Sequence, residues 1–197
     1  MLRVLAINNY RRPQETRFES LRKVLAENGA EVAFTDWDGT SASKFDDFEG
    51  VVLSGAPDMM SEKSTQRKFS AEADAIRDAQ VPVLGVCFGH QLMAHVFGSV
   101  IVKDKEHVQR FVKTTALVRD PLFSGLPRNM MLLESREEVV RALPAGFRLL
   151  AKSETSPIAA MRHDRRPLYG VQFHPERFTP ENPAGNRVIG NFVELLR

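Results

Sequence analysis

The sequence predicts an α/β domain, a mostly parallel sheet with helices on both faces and an antiparallel extension. Two features carry this expectation. Short runs rich in Val, Ile and Leu, at residues 2–7, 31–34, 51–54 and 81–86, alternate with longer amphipathic segments. That is the pattern of βαβ units whose strands are buried on both sides. Beyond residue 100 the texture changes to strand-like pieces separated by polar or proline-containing turns, which adds an antiparallel edge to the sheet.

The elements follow in order. Residues 2–7 form the first strand. Thr16 and Glu19 make a capping-box pattern, Phe18, Leu21, Val24 and Leu25 share one helical face, and Gly29 closes that helix. Strands at 31–34 and 51–54 come next. A second helix over residues 64–80 places Phe69, Ala73 and Ile76 inward, and Pro82 marks the return to a strand at 81–86. A third helix starts directly after Cys87. Strands are expected at 100–102, 112–118 and 130–133, then a loop at 134–138 in which Arg136, Glu137 and Glu138 either face solvent or meet a substrate or partner. Residues 148–152, 158–161 and 168–173 read as further strands. Residues 186–196 read as a closing helix with Val188, Ile189, Phe192, Leu195 and Leu196 inward. With no internal repeat or linker, residues 1–197 are expected to form a single domain.

Composition removes several classes of function. A chain of 197 residues buries roughly 70% of its unfolded surface and needs no metal or disulfide to hold it together. A net charge of +2 with 26% charged residues carries no nucleic-acid footprint. A lone cysteine cannot form an internal disulfide and fits a cytoplasmic protein. No segment approaches the roughly 20 apolar residues of a membrane span. No histidine pair has metal-ligand spacing backed by carboxylates, so no metal is expected.

The chemistry concentrates in two places. Residues 81–97 run from a buried strand through Gly85-Val-Cys87-Phe-Gly89 straight into an apolar-faced helix, a thiol version of the nucleophile elbow. Gly85 and Gly89 leave room for neighbouring chain, and the positive end of the helix dipole favours negative charge on the sulfur. The N–H of Phe88, at the helix start, is free to point at an oxyanion. The polar pair His90-Gln91 follows where a core helix prefers Leu. In the second place an apolar strand ends in His174-Pro175-Glu176. Strand ends carry the polar groups of open α/β sheets, so His174 reaches the same rim as Cys87, and Glu176 can accept from its other ring nitrogen. Cys87, His174 and Glu176 are thus the candidate nucleophile, base and orienting carboxylate.

With G-V-C-F-G-H-Q and G-V-Q-F-H-P-E both present, the chain resembles the class I glutamine amidotransferases over nearly its whole length. It looks most like the free-standing glutaminase subunit of archaeal-type GMP synthase. The resemblance implies a flavodoxin-like fold in which Cys87 attacks the side-chain amide of glutamine and forms a glutamyl thioester. It further implies that Gly55 and Ala56, in Val52-Leu-Ser-Gly-Ala-Pro57, contribute a backbone donor beside that of Phe88, and that Gln91 helps to bind glutamine. Ammonia then passes to a separate synthetase. The chain has no phosphate-binding loop or pyrophosphatase-type loop, so no cofactor is expected here and ATP and magnesium belong on that partner.

Three departures stand out from the family pattern. Ala56 replaces a glycine and would be strained if that position needed positive φ. Arg136 stands where the GMP synthase subunits carry histidine, and residues 177–185 are longer than usual. Two other readings remain open at this point, a stand-alone γ-glutamyl hydrolase and a non-catalytic module on the same fold.

Overall fold

Val4 and Ala6 point to one side of the first strand and Leu5 and Ile7 to the other, and all four are buried. Side chains of a strand alternate between faces, so this sheet must be covered twice. A computed structural model describes residues 2–10 and 16–197 and shows both covers. Its elements are β1 (Leu2–Asn8), α1 (Thr16–Glu27), β2 (Ala30–Asp36), α2 (Ala42–Phe45), β3 (Gly50–Leu53), α3 (Lys63–Lys68), α4 (Ser70–Asp78) and β4 (Val83–Val86). There follow α5 (Phe88–Val96), β5 (Ile101–Ala116), β6 (Asn129–Val140), β7 (Phe147–Ser153), β8 (Ala160–His163), β9 (Leu168–Val171) and α6 (Ala184–Glu194).

Val4 and Ala6 pack with Phe18, Leu21 and Leu25 of α1 and with Val188, Ile189 and Phe192 of α6. Leu5 and Ile7 pack with Ile76 of α4 and Leu92 and Met93 of α5 on the opposite face. The strand order is β2-β1-β3-β4-β9-β8-β7-β5-β6. From β2 to β9 the pairing is parallel, and from β9 outward it is antiparallel. The parallel part has the flavodoxin-like order 2-1-3-4-5, with β9 in the fifth place. This order sets the C-terminal ends of β3, β4 and β9 side by side, where open α/β sheets bind their ligands.

The expected α/β class is therefore found, with differences in detail. The helix expected over 64–80 is two helices that meet at Phe69. Phe69 leaves the helical path (φ −96°, ψ 20°) and is fully buried, its ring 5.2 Å from that of Trp37 and 4.6 Å from that of Phe88. The pieces expected at 100–102 and 112–118 belong to one long strand, β5, whose register with β6 shifts between Lys103 and Val108. The backbone ahead of Thr16, which decides its capping role, lies outside the described residues.

The loop expected at 134–138 is strand. Glu134, Arg136 and Glu138 are buried along β6, while Glu137 faces out. These alternate positions point inward, as strand geometry requires, but carry charges in place of apolar groups. The segment is half-buried without any period-two hydrophobic pattern to announce it.

Candidate active site

Cys87 sits between β4 and α5 with φ 50° and ψ −99°, the one positive φ outside glycine among the described residues. Such a conformation costs of order 1–3 kcal/mol and persists only where the surroundings enforce it. Here they do. A Cβ at Gly85 would lie 2.5 Å from the Gly89 carbonyl oxygen, and one at Gly89 would lie 2.7 Å from Leu53 Cβ and 2.8 Å from its carbonyl oxygen. The two glycines let α5 press onto β3 and β4. The backbone N–H of Cys87 donates to the Val171 carbonyl at 2.8 Å, tying the elbow to β9.

That tie matters because β9 delivers the histidine. His174 and Glu176 are both nearly buried, and His174 Nδ1 lies 2.7 Å from Glu176 Oε1. Burial by itself would lower the imidazole pKa. The charge of Glu176, and after it the influence of Cys87, both in hydrogen-bonding contact with the ring, outweigh it and push His174 up to about 10. At neutral pH the ring is thus held as an imidazolium beside the sulfur. Gln172 Nε2 donates to Cys87 Sγ at 3.8 Å, and the thiol faces the Ser135 carbonyl at 3.6 Å.

The turn after β3 comes up against the same group of side chains. A Cβ at Gly55 would meet Tyr10 Oη at 2.9 Å and His174 Cε1 at 3.0 Å, so any larger residue there would press on both side chains. Ala56 has no positive φ, and the anticipated strain at this position is absent. Phe88 opens α5, and its N–H belongs to the first, unpaired donors of that helix. Gln91 is buried one turn later, where Nε2 donates to the Glu138 carbonyl at 2.9 Å. His90 is fully buried, and burial pushes its imidazole down to about 3, so it is a neutral packing group against Gly170.

Sequence reasoning missed Tyr10, because a single tyrosine after β1 carries no local signal. Its phenol is buried and its pKa raised, first by burial and then by the charges of Glu176 and Cys87. It also missed what β6 does. A cavity of about 190 Å³ opens beside Cys87, lined among others by Arg17, Ala56, Gln91, Ser135 and Glu138. Glu138 accepts from the N–H groups of Met60 (2.6 Å) and Ser61 (3.1 Å), which fixes the chain beyond the Gly55 turn.

Arg136, the departure from the family histidine, lies wholly inside. It donates to Glu134 at 2.9 Å, Ser156 Oγ at 3.0 Å, Asp104 at 2.7 Å and the Thr155 carbonyl. Its hydrogen bond holds the Asp104 carboxyl below the usual carboxylate range. Glu134 is completed by the hydroxyls of Ser153, Thr155 and Ser156. The network joins β5, β6 and the chain after β7 behind the cavity, and it positions Ser135 against the thiol. Arg136→Ala leaves the Glu134 charge buried without its cation, and the expected cost is about 3–5 kcal/mol. Urea denaturation measures it; a loss under about 1 kcal/mol would mean the pair is dispensable.

The segment 177–185, longer than the family pattern, folds tightly back. Thr179 pairs with Asn182, and a Cβ at Gly185 would lie 2.3 Å from the Pro175 carbonyl oxygen. Among the described residues no cluster of His, Cys, Asp or Glu is placed to hold a metal ion, and no helix is long and apolar enough to cross a membrane.

Comparison with known proteins gives a consistent result. Residues 14–195 match the family model described as glutamine amidotransferase class-I. A subunit of the glutamine-hydrolyzing GMP synthase of Thermococcus kodakarensis is 40% identical over 147 residues, 75% of either chain. The subunit of the same name from Archaeoglobus fulgidus is 34% identical over 177 residues, 90% of this chain and 91% of its own. A crystal structure from Thermoplasma acidophilum, provisionally assigned to the same GMP synthase subunit, has a TM-score of 0.86 at 29% identity. The match covers 100% of this chain and 94% of that one.

Proposed function

The chain belongs to the class I glutamine amidotransferases, and on that premise we propose that it is the glutaminase subunit of a two-chain GMP synthase. One observation carries the reading: a cysteine on an enforced elbow, bordering a small cavity, is in hydrogen-bonding contact with a buried His174–Glu176 pair. In the proposed reaction the Cys87 sulfur, its proton on His174, attacks the side-chain carbonyl carbon of glutamine. The N–H groups of Phe88 and of the Gly55–Ala56 turn receive the oxyanion. The imidazolium gives its proton to the departing nitrogen, ammonia leaves, and a glutamyl thioester remains on Cys87. Water, deprotonated by the now neutral His174, attacks the thioester and releases glutamate. Glu176 holds the ring in one orientation throughout.

Sites for drug-sized ligands enclose roughly 300–1,000 Å³. The cavity beside Cys87, at about 190 Å³, suits a free amino acid better than a bulky γ-glutamyl conjugate. This supports glutamine as substrate over the stand-alone γ-glutamyl hydrolase. Gln91 and Arg17 border the cavity and are assigned to substrate binding. The chain itself uses no cofactor; ATP and magnesium act on the synthetase, which activates XMP for attack by ammonia. A cytoplasmic location follows from that partnership.

The test mixes the purified chain with the ATP-dependent synthetase of the same organism, XMP, ATP and amide-labelled glutamine. Label is expected in GMP only when both chains are present. Glutamine hydrolysis that never reaches XMP, at a rate indifferent to the synthetase, would reject this assignment.

A further inference from the structure

Behind the Gly55 turn lies a buried polar relay that the mechanism above does not use. Glu72, on α4, is completely buried, as is Asn9 at the end of β1. Asn9 Nδ2 donates to Glu72 Oε1 at 3.1 Å and to the Ser54 carbonyl at 3.2 Å. The backbone N–H of Asn9 donates to Ser54 Oγ at 2.9 Å, and that hydroxyl donates in turn to the Gly55 carbonyl at 2.9 Å.

Peptide units are planar and trans, so a carbonyl oxygen that is gripped also fixes the N–H on the other side of its plane. Holding the Ser54 carbonyl orients the Gly55 N–H, and holding the Gly55 carbonyl orients the Ala56 N–H. These are the two backbone donors of the turn assigned to the oxyanion.

The relay has an odd feature. Asn9 Oδ1 and Glu72 Oε2 are both buried without a hydrogen-bond partner among the described residues, on two side chains already joined by one bond. Two orphaned acceptors on one pair are costly unless a proton sits between them. A protonated Glu72 carries such a proton, and its neutral carboxyl keeps an acceptor for the Asn9 amide. Burial pushes Glu72 up to about 8, against the opposing hydrogen bond from Asn9, and no charged neighbour contributes.

We propose that Glu72 is a neutral positioning residue, which through Asn9 and Ser54 sets the direction of the Gly55 and Ala56 N–H groups for catalysis. The inference rests on the glutaminase reading and deepens it. Glu72→Gln keeps a neutral donor and acceptor of the same length, whereas Glu72→Leu removes both.

The experiment measures the saturating rate and half-saturation concentration for labelling of Cys87 by 6-diazo-5-oxonorleucine. In parallel, the carboxyl resonance of Glu72, assigned by its loss in Glu72→Gln, is titrated by NMR. Glu72→Gln is expected to label within about twofold of the wild-type saturating rate. Glu72→Leu is expected to be about tenfold slower at unchanged half-saturation, and the wild-type resonance to titrate well above the usual carboxylate range. A Leu variant as fast as wild type, a Gln variant as slow as Leu, or a carboxyl titrating normally overturns the proposal. The titration decides the matter even if the Leu variant fails to fold. Failure of the wild type to label, with Cys87 still alkylated by iodoacetamide, overturns the glutaminase reading and this inference with it.

Discussion

Cys87→Ala is expected to stop glutamine hydrolysis, with kcat falling by about 10⁴-fold or more, since no other group near the cavity can form the thioester. Binding should survive. Alanine removes one sulfur atom from a site whose walls come from β6, α5 and the Gly55 turn, so the affinity for glutamine measured by calorimetry should stay within a few-fold of wild type. The fold should survive as well, because Gly85 and Gly89, not the thiol, permit the close packing of the elbow. Loss of binding together with loss of turnover would assign Cys87 a structural part instead.

Glu176→Gln is the more informative change at the base. Burial is the largest single influence on His174 and acts to lower its pKa; Glu176 comes next and acts to raise it. With the carboxylate neutralised, Cys87 alone opposes burial, and the imidazolium is held less firmly. The amide also accepts and donates from the wrong groups to hold the ring's tautomer. Replacement of the corresponding carboxylate in a serine triad costs about 10⁴-fold, and a loss of about 10²–10⁴-fold in kcat is expected here.

The same change has a signature in stability. A histidine whose folded pKa is raised from 6.5 to about 10 contributes stability that is fully present below pH 6.5 and is lost as pH rises through about 10. Wild-type denaturation midpoints should therefore decline across that window, and those of Glu176→Gln should decline less. Equal slopes in the two proteins would show that Glu176 does not hold the proton on His174.

Much of this site was legible because its signals are local. Gly85, Cys87 and Gly89 lie within five residues, and their spacing reflects backbone contacts with β3 and within the elbow. His174 and Glu176 end an apolar strand, and a strand end in a parallel sheet has a defined place in space. The fold class was legible for a similar reason, since strands buried on both faces write continuous apolar runs into the sequence.

What escaped notice depends on distant partners. Arg136 reads as a surface charge until Glu134, Asp104 and the carbonyl of Thr155 are brought around it, and only then does the segment 134–138 make sense as a strand. Glu72 and Asn9 are ordinary residues 63 positions apart, and their pairing exists only in the folded chain. Ala56 looked strained by analogy with a glycine, yet its φ is not positive and the strain does not arise. Phe69 interrupts a helix that the apolar pattern made continuous, because its ring is needed between Trp37 and Phe88.

The most direct test is intact-mass analysis of the purified chain after exposure to 6-diazo-5-oxonorleucine, with iodoacetamide and Cys87→Ala as controls. The account predicts a single adduct of the glutamine mimic, located on Cys87, blocked by excess glutamine and absent from the alanine variant. A thiol alkylated by iodoacetamide but untouched by the mimic would contradict an assembled glutamine site in this chain, and a thiol inert to both would contradict a catalytic cysteine.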